Sequence, residues 1–140
     1  HQTINPYLKC HPDIPAYISP YLIERDFGIW ENLSFKQIEE LDPVRYKEWQ
    51  DNYIEYTIPH GESLMEVQRR VDIFLDKLLP MYDGKTVFLV THLCATRHII
   101  AKLLGLEPEM SRRFTMKNAH YAIIDYDNDA GFGVIKYLNI

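Results

Sequence analysis

Leu64, Val67, Val71, Phe74, Leu75, Leu78 and Leu79 recur at the three- and four-residue spacing that lines one face of an α-helix. Ser63-Leu64-Met65-Glu66 heads that run as a capping box, in which hydroxyl and carboxylate satisfy the free N–H groups of the first turn. The spacing therefore predicts a helix from Ser63 with one buried face, closed before Gly84. Thr86-Val87-Phe88-Leu89-Val90 then forms a continuous β-rich apolar run, the kind buried on both faces in a parallel sheet, and it predicts an inner strand. Helical spacing returns at Ala95, Ile99, Ile100, Leu103 and Leu104 and stops at Gly105. The pattern thus reads strand, turn at His92, helix.

Elsewhere the signals are shorter. Residues 1–9 read as the last turns of a helix, with His1-Gln2-Thr3-Ile4 inside an element. Pro12, Pro15 and Pro20 mark a connector with room for one edge strand, because proline lacks the ladder donor. Ser34-Phe35-Lys36-Gln37 is a second capping box and predicts a helix to about Leu41; Asp42-Pro43 opens another through Trp49. Residues 122–126 and 134–138 flank the turn-forming Asp127-Asn128-Asp129-Ala130-Gly131, which predicts a terminal antiparallel hairpin. Helices interleaved with a buried strand and closed by a hairpin indicate a layered α/β domain with a mixed sheet, one domain over residues 1–140, without internal repeats.

Composition narrows the class. The chain has 140 residues and a net charge of −5, which argues against a general nucleic-acid binder, since such proteins carry a basic face. No apolar stretch approaches the roughly 20 residues of a membrane span. Cys10 and Cys94 form no C-x-x-C pair, so a reducing, cytoplasmic compartment is expected.

Two places are suited to chemistry. Thr91-His92-Leu93 lies where a strand would end and a helix begin, and such junctions present free N–H groups and a positive dipole end to anions. His92 there either meets an anion or caps the turn. Glu24 lies in a charged triplet, Glu24-Arg25-Asp26, ahead of a glycine turn. Loop carboxylates donate protons when partial burial or a nearby anion favours the acid form; otherwise Glu24 is a solvated acid paired with Arg25.

Three separated motifs, in order, resemble the histidine phosphatase superfamily, which includes cofactor-dependent phosphoglycerate mutases, fructose-2,6-bisphosphatases and alpha-ribazole phosphatases. Leu22 to Glu31 resembles its E-R-D-F-G-x-W-E segment, Pro59 to Ser63 its P-x-G-E-S segment, and Val90 to Arg97 its V-T-H-x-x-x-x-R segment. Gln2-Thr3 resembles the Q-T that follows a phosphate-binding arginine, so the likeness covers essentially the whole chain. It implies a three-layer, phosphoglycerate mutase-like α/β fold with a mostly parallel mixed sheet. It also implies that Glu24 matches the proton donor to the leaving group and His92 the second histidine, which binds phosphoryl oxygens. The family's R-H-G motif, which supplies the phosphorylated histidine and a phosphate-holding arginine, does not occur in the 140 residues.

The resemblance implies a phosphatase of a small phosphomonoester acting through a phosphohistidine, with the nucleophile on a segment outside this chain. Phosphoryl transfer needs in-line attack, neutralisation of the oxygens and protonation of the leaving group, which require no metal or other cofactor here. The short span from Glu24 to Gly61 favours the compact phosphatases over the mutases, which remain an alternative, as does a non-catalytic binding domain. Arg25 is a candidate substrate contact or a partner of Asp26. Leu93 stands where most relatives have glycine against the phosphate, so it too is a candidate substrate contact that crowds the pocket or points away. Ser63 reads as a helix cap, and Cys94 as a packed thiol in preference to a zinc ligand with His98. The expected partners are a phosphorylated metabolite and either a second copy or a strand-completing segment, with neither nucleic acid nor membrane. An inner strand removed from such a sheet exposes ladder edges and an apolar face.

Overall fold

The computed structural model describes residues 2–140. In chain order it contains α1 (Asn5–Cys10), α2 (Phe35–Leu41), α3 (Pro43–Asp51), α4 (Leu64–Met81), α5 (Leu93–Leu103), β1 (Ala122–Asp127) and β2 (Phe132–Leu138). Short 3-10 turns occur at Pro20–Leu22, Gly28–Trp30 and Pro108–Arg113. Residues 2–4 form a turn leading into α1, and His1 lies outside the described residues. The proline-rich connector forms no edge strand among the described residues.

Local chemistry explains where the helices begin. The Ser34 hydroxyl accepts the Gln37 N–H at 3.3 Å while the Gln37 side chain accepts the Ser34 N–H at 2.9 Å. Ser63 and Glu66 repeat the exchange at 3.1 and 2.7 Å at the head of α4. Proline occupies the first position of α3, where its missing N–H is no loss.

Two apolar clusters hold the chain. In the first, Val67, Val71 and Leu75 of α4 face Ala95, Ile99 and Leu103 of α5, with Leu22, Leu89, Ile124 and Tyr126 packed at the margin. In the second, Trp30, Ile38, Trp49 and Ile58 are buried, flanked by Phe27, Tyr53 and Tyr56. The 22–30 segment touches both, through Leu22 at one end and Trp30 at the other. Glu24 is carried between them.

The hairpin forms as expected, with Ala122 opposite Leu138 and Asp127 opposite Phe132, and an irregularity between Ile123 and Ile124. Residues 86–90, expected as an inner strand, join no ladder: the sheet of the described residues is the antiparallel pair β1–β2, and the mostly parallel sheet is not formed. An inner strand needs neighbours on both sides, and the two strands present pair with each other. Only Leu89 of the run reaches the core, whereas Val87 and Val90 are exposed and Phe88 is 60% exposed. The architecture is a mixed α/β fold with helices and a C-terminal antiparallel hairpin. No helix among the described residues is long and apolar enough to cross a membrane.

Candidate active site

Backbone packing between two distant loops creates the platform. The Ile29 N–H donates to the Pro59 carbonyl at 3.1 Å and the Glu62 N–H to the Asp26 carbonyl at 2.9 Å. At Gly61 a Cβ would lie 2.6 Å from the Asp26 oxygen, and at Gly28, whose φ is +49°, it would lie 2.6 Å from the Gly61 nitrogen. Contact this close admits only glycine on either side. The D-F-G and P-x-G-E-S segments are therefore one structural unit.

That unit presents Glu24 to the start of α5. Oε1 of Glu24 accepts the backbone N–H of Arg25 at 2.9 Å and that of Cys94 at 3.1 Å; Oε2 lies 3.4 Å from the same Cys94 nitrogen. His92 is the N-cap of α5, exposed, with its own side chain capping nothing. The Glu24 carboxylate and the residue His92 thus lie at one helix terminus, from positions far apart in sequence. Thr91 ties the two segments by donating its hydroxyl to the Leu22 carbonyl at 2.5 Å. An exposed histidine, a half-buried carboxylate and a helix N-terminus can together bind an anion and pass a proton.

The other candidates are placed differently. Arg25 is only 2% exposed. Its Nε donates to the Glu62 carbonyl at 3.0 Å, and its guanidinium lies over the rings of Phe27 and Tyr53, at 5.4 and 5.8 Å from their centroids. Its two terminal nitrogens have no hydrogen-bond partner among the described residues, and burial pulls the group below its ordinary pKa. Arg25 pairs with neither Asp26 nor Glu24 through its side chain; Asp26 accepts the Gly28 N–H instead, at 2.8 Å. Leu93 is the first residue of α5 and is exposed beside His92. The Cys94 thiol is raised to about 11, by burial first and then by the Glu24 charge, which keeps it protonated and unreactive at neutral pH. Among the described residues no group of three or more His, Cys, Asp or Glu is arranged to hold a metal ion.

Two further arginines bind distant backbone carbonyls, and those bound by Arg70 reach the site. Arg70 on α4 donates to the carbonyls of Tyr21 at 2.7 Å and Glu24 at 3.1 Å, and grips the Glu62 carboxylate at 2.9 and 3.1 Å. Arg97, one turn into α5, donates to the Phe114 carbonyl at 2.7 Å. Arg70 carried a detectable signal: it is a charged residue at helical spacing from Val67 and Phe74, on the flank of the apolar stripe.

The chain matches the profile of the histidine phosphatase superfamily (branch 1) over residues 1–139. It is 34% identical over 111 residues to a probable phosphoglycerate mutase GpmB of Yersinia enterocolitica, covering 76% of this chain and 50% of that protein. It is 28% identical over 127 residues to the adenosylcobalamin/alpha-ribazole phosphatase of Salmonella typhimurium, covering 91% of this chain and 62% of the relative. Among solved structures, the alpha-ribazole phosphatase from Shigella flexneri superposes with a TM-score of 0.83 at 25% identity, over 99% of this chain and 68% of that one. The chain spans from about a third to about three fifths of the length of the curated relatives it matches, from 31% to 62%.

Proposed function

The chain belongs to the histidine phosphatase superfamily, branch 1, and on that premise we propose that it supplies the acid and one phosphoryl-binding group of a phosphatase for a small phosphomonoester. The observation that carries this reading is the hydrogen bond from the Cys94 amide to Glu24, which fixes the carboxyl at the helix terminus that His92 opens. His92 and the first N–H groups of α5 hold the phosphoryl oxygens, and Glu24 protonates the departing alkoxide. The resemblance assigns the attacking imidazole to an R-H-G segment, which these 140 residues do not contain. A strand paired with residues 86–91 would end beside His92, and the exposed Val87, Phe88 and Val90 favour that position for it. Leu93 forms the wall of the pocket next to the phosphoryl group, and the buried Arg25 stiffens the loop behind Glu24.

Residues 1–140 alone are expected to show no turnover of nitrophenyl phosphate, whereas the full-length protein turns it over and carries an acid-labile, alkali-stable phosphoryl label. Robust turnover by the 140-residue chain that disappears in His92→Ala would mean that the nucleophile is misplaced. Absence of both turnover and label in the full-length protein would favour a non-catalytic binding domain. Likeness to a probable phosphoglycerate mutase favours phosphoryl transfer as the second reading, and release of inorganic phosphate against transfer to an acceptor separates the two.

A further inference from the structure

Glu24 sits in a stretch with little regular structure: a 3-10 turn ends at Leu22 and the backbone then runs without helix or strand to Gly28. Such a segment has many conformations available, and an acid on it has no reason to keep one aim unless its backbone is held from outside. Thr91 holds the Leu22 carbonyl and Glu62 the backbone of Asp26, while the carbonyl of Glu24 itself is held by one side chain, that of Arg70. The Arg70 guanidinium uses three nitrogens at once: Nη1 on the Tyr21 carbonyl, Nη2 on the Glu24 carbonyl and on Glu62 Oε2, and Nε on Glu62 Oε1. Glu62 Oε2 also accepts the Asp26 N–H at 3.1 Å, so the same ion pair grips the chain on both sides of Glu24. The pair is largely out of solvent, with side chains 13% and 22% exposed.

The helix that bears Arg70 gives this grip its reference point. Val67, Val71 and Leu75 of α4 pack against Ala95, Ile99 and Leu103 of α5, and His92 caps α5. Arg70 therefore ties the carbonyl of Glu24 to the same packed helix pair that carries the phosphoryl-binding end. We infer that Arg70 is the positioning residue for Glu24, setting the register between the acid and the phosphoryl site through the planar fork of its guanidinium. The inference rests on the proposed role of Glu24 as proton donor. A lysine keeps the charge but offers one point of attachment where the fork offers three, so it cannot reproduce the hold.

In the full-length protein, Arg70→Lys and Arg70→Gln are compared with the parent on an alkyl phosphate and on nitrophenyl phosphate. Misaiming the acid by a fraction of an ångström should slow the alkyl substrate about 10-fold or more in kcat, while the activated substrate, which needs no proton, changes far less. In the Glu24→Gln background, Arg70→Lys should add no further selective loss, because the two act through one group. Hydrogen exchange at the Cys94 amide, which Glu24 accepts, should quicken about 10-fold or more in Arg70→Lys, a readout independent of turnover. The lysine variant keeps the test open if the glutamine variant fails to fold. Equal slowing of both substrates, or unchanged exchange at Cys94, overturns the inference while leaving the acid role intact. If Glu24→Gln itself shows no leaving-group selectivity, the acid role and the inference fall together.

Discussion

The carboxylate of Glu24 accepts the backbone N–H of Cys94 at 3.1 Å, 70 positions along the chain. Cys94 is the second residue of α5, so the bond places the acid against the first turn of the helix that follows His92. The N–H groups of a first turn have no partner within their own helix and carry the positive end of its dipole. Glu24 takes one of them, at the helix terminus that His92 opens.

The loop platform under Glu24 depends on two glycines meeting backbone to backbone. Gly61→Ala puts a Cβ 2.6 Å from the Asp26 carbonyl oxygen, with no flexible side chain to yield. We expect a loss of roughly 1–3 kcal/mol in chemical denaturation and a fall in activity larger than the stability loss accounts for, since Asp26 lies two residues from Glu24. A Gly61→Ala protein as stable and active as the parent would show that the loops are not in contact.

Ser63 separates shape from chemistry within the same motif. Its hydroxyl caps α4 and it is buried. Ser63→Ala should cost about 1 kcal/mol of stability with kcat unchanged at temperatures where the protein remains folded. A large fall in kcat without a stability change would give the hydroxyl a direct part in the reaction.

His98 makes stability depend on pH. Burial, reinforced by the charges of Arg70, Arg25 and Arg97, pulls its pKa down to about 4. In the unfolded chain a histidine titrates near 6.5, so between about pH 6.5 and 4 the unfolded state holds the additional proton. The contribution of the neutral imidazole is fully present above that window and is lost as pH falls through it, on the order of 3 kcal/mol in total. Thermal midpoints at constant ionic strength should therefore decline from pH 6.5 downward, and His98→Leu should flatten the decline. A midpoint in the parent that is level between pH 7 and 4.5 would contradict this.

What could be read from the sequence was what depends on near neighbours. Both capping boxes, the apolar stripe of α4 and the turn from Asp127 to Gly131 are written within a few residues each, and the structure contains all of them. The 86–90 run shows the opposite limit. Its composition expresses burial on two faces, but a ladder is made by partners, and no local pattern says whether they are present. Glu24-Arg25-Asp26 reads as a charged surface triplet, yet Arg25 is buried because Phe27 and Tyr53, the latter from a different loop, close over it. The place of Arg70 beside the apolar stripe is local, but its role is not, because the carbonyls it binds lie 46 and 49 residues earlier in the chain.

The most direct test compares Glu24→Gln and His92→Ala in the full-length protein on an alkyl phosphate and on nitrophenyl phosphate. Glutamine keeps the shape of Glu24 and removes its proton, so the alkyl substrate should slow by roughly 100-fold or more while the nitrophenyl substrate suffers much less. His92→Ala should impair both, because a contact to the transferring phosphoryl group is lost whatever the leaving group. If Glu24→Gln slows the two substrates equally, Glu24 is not the acid and the account of this site is wrong.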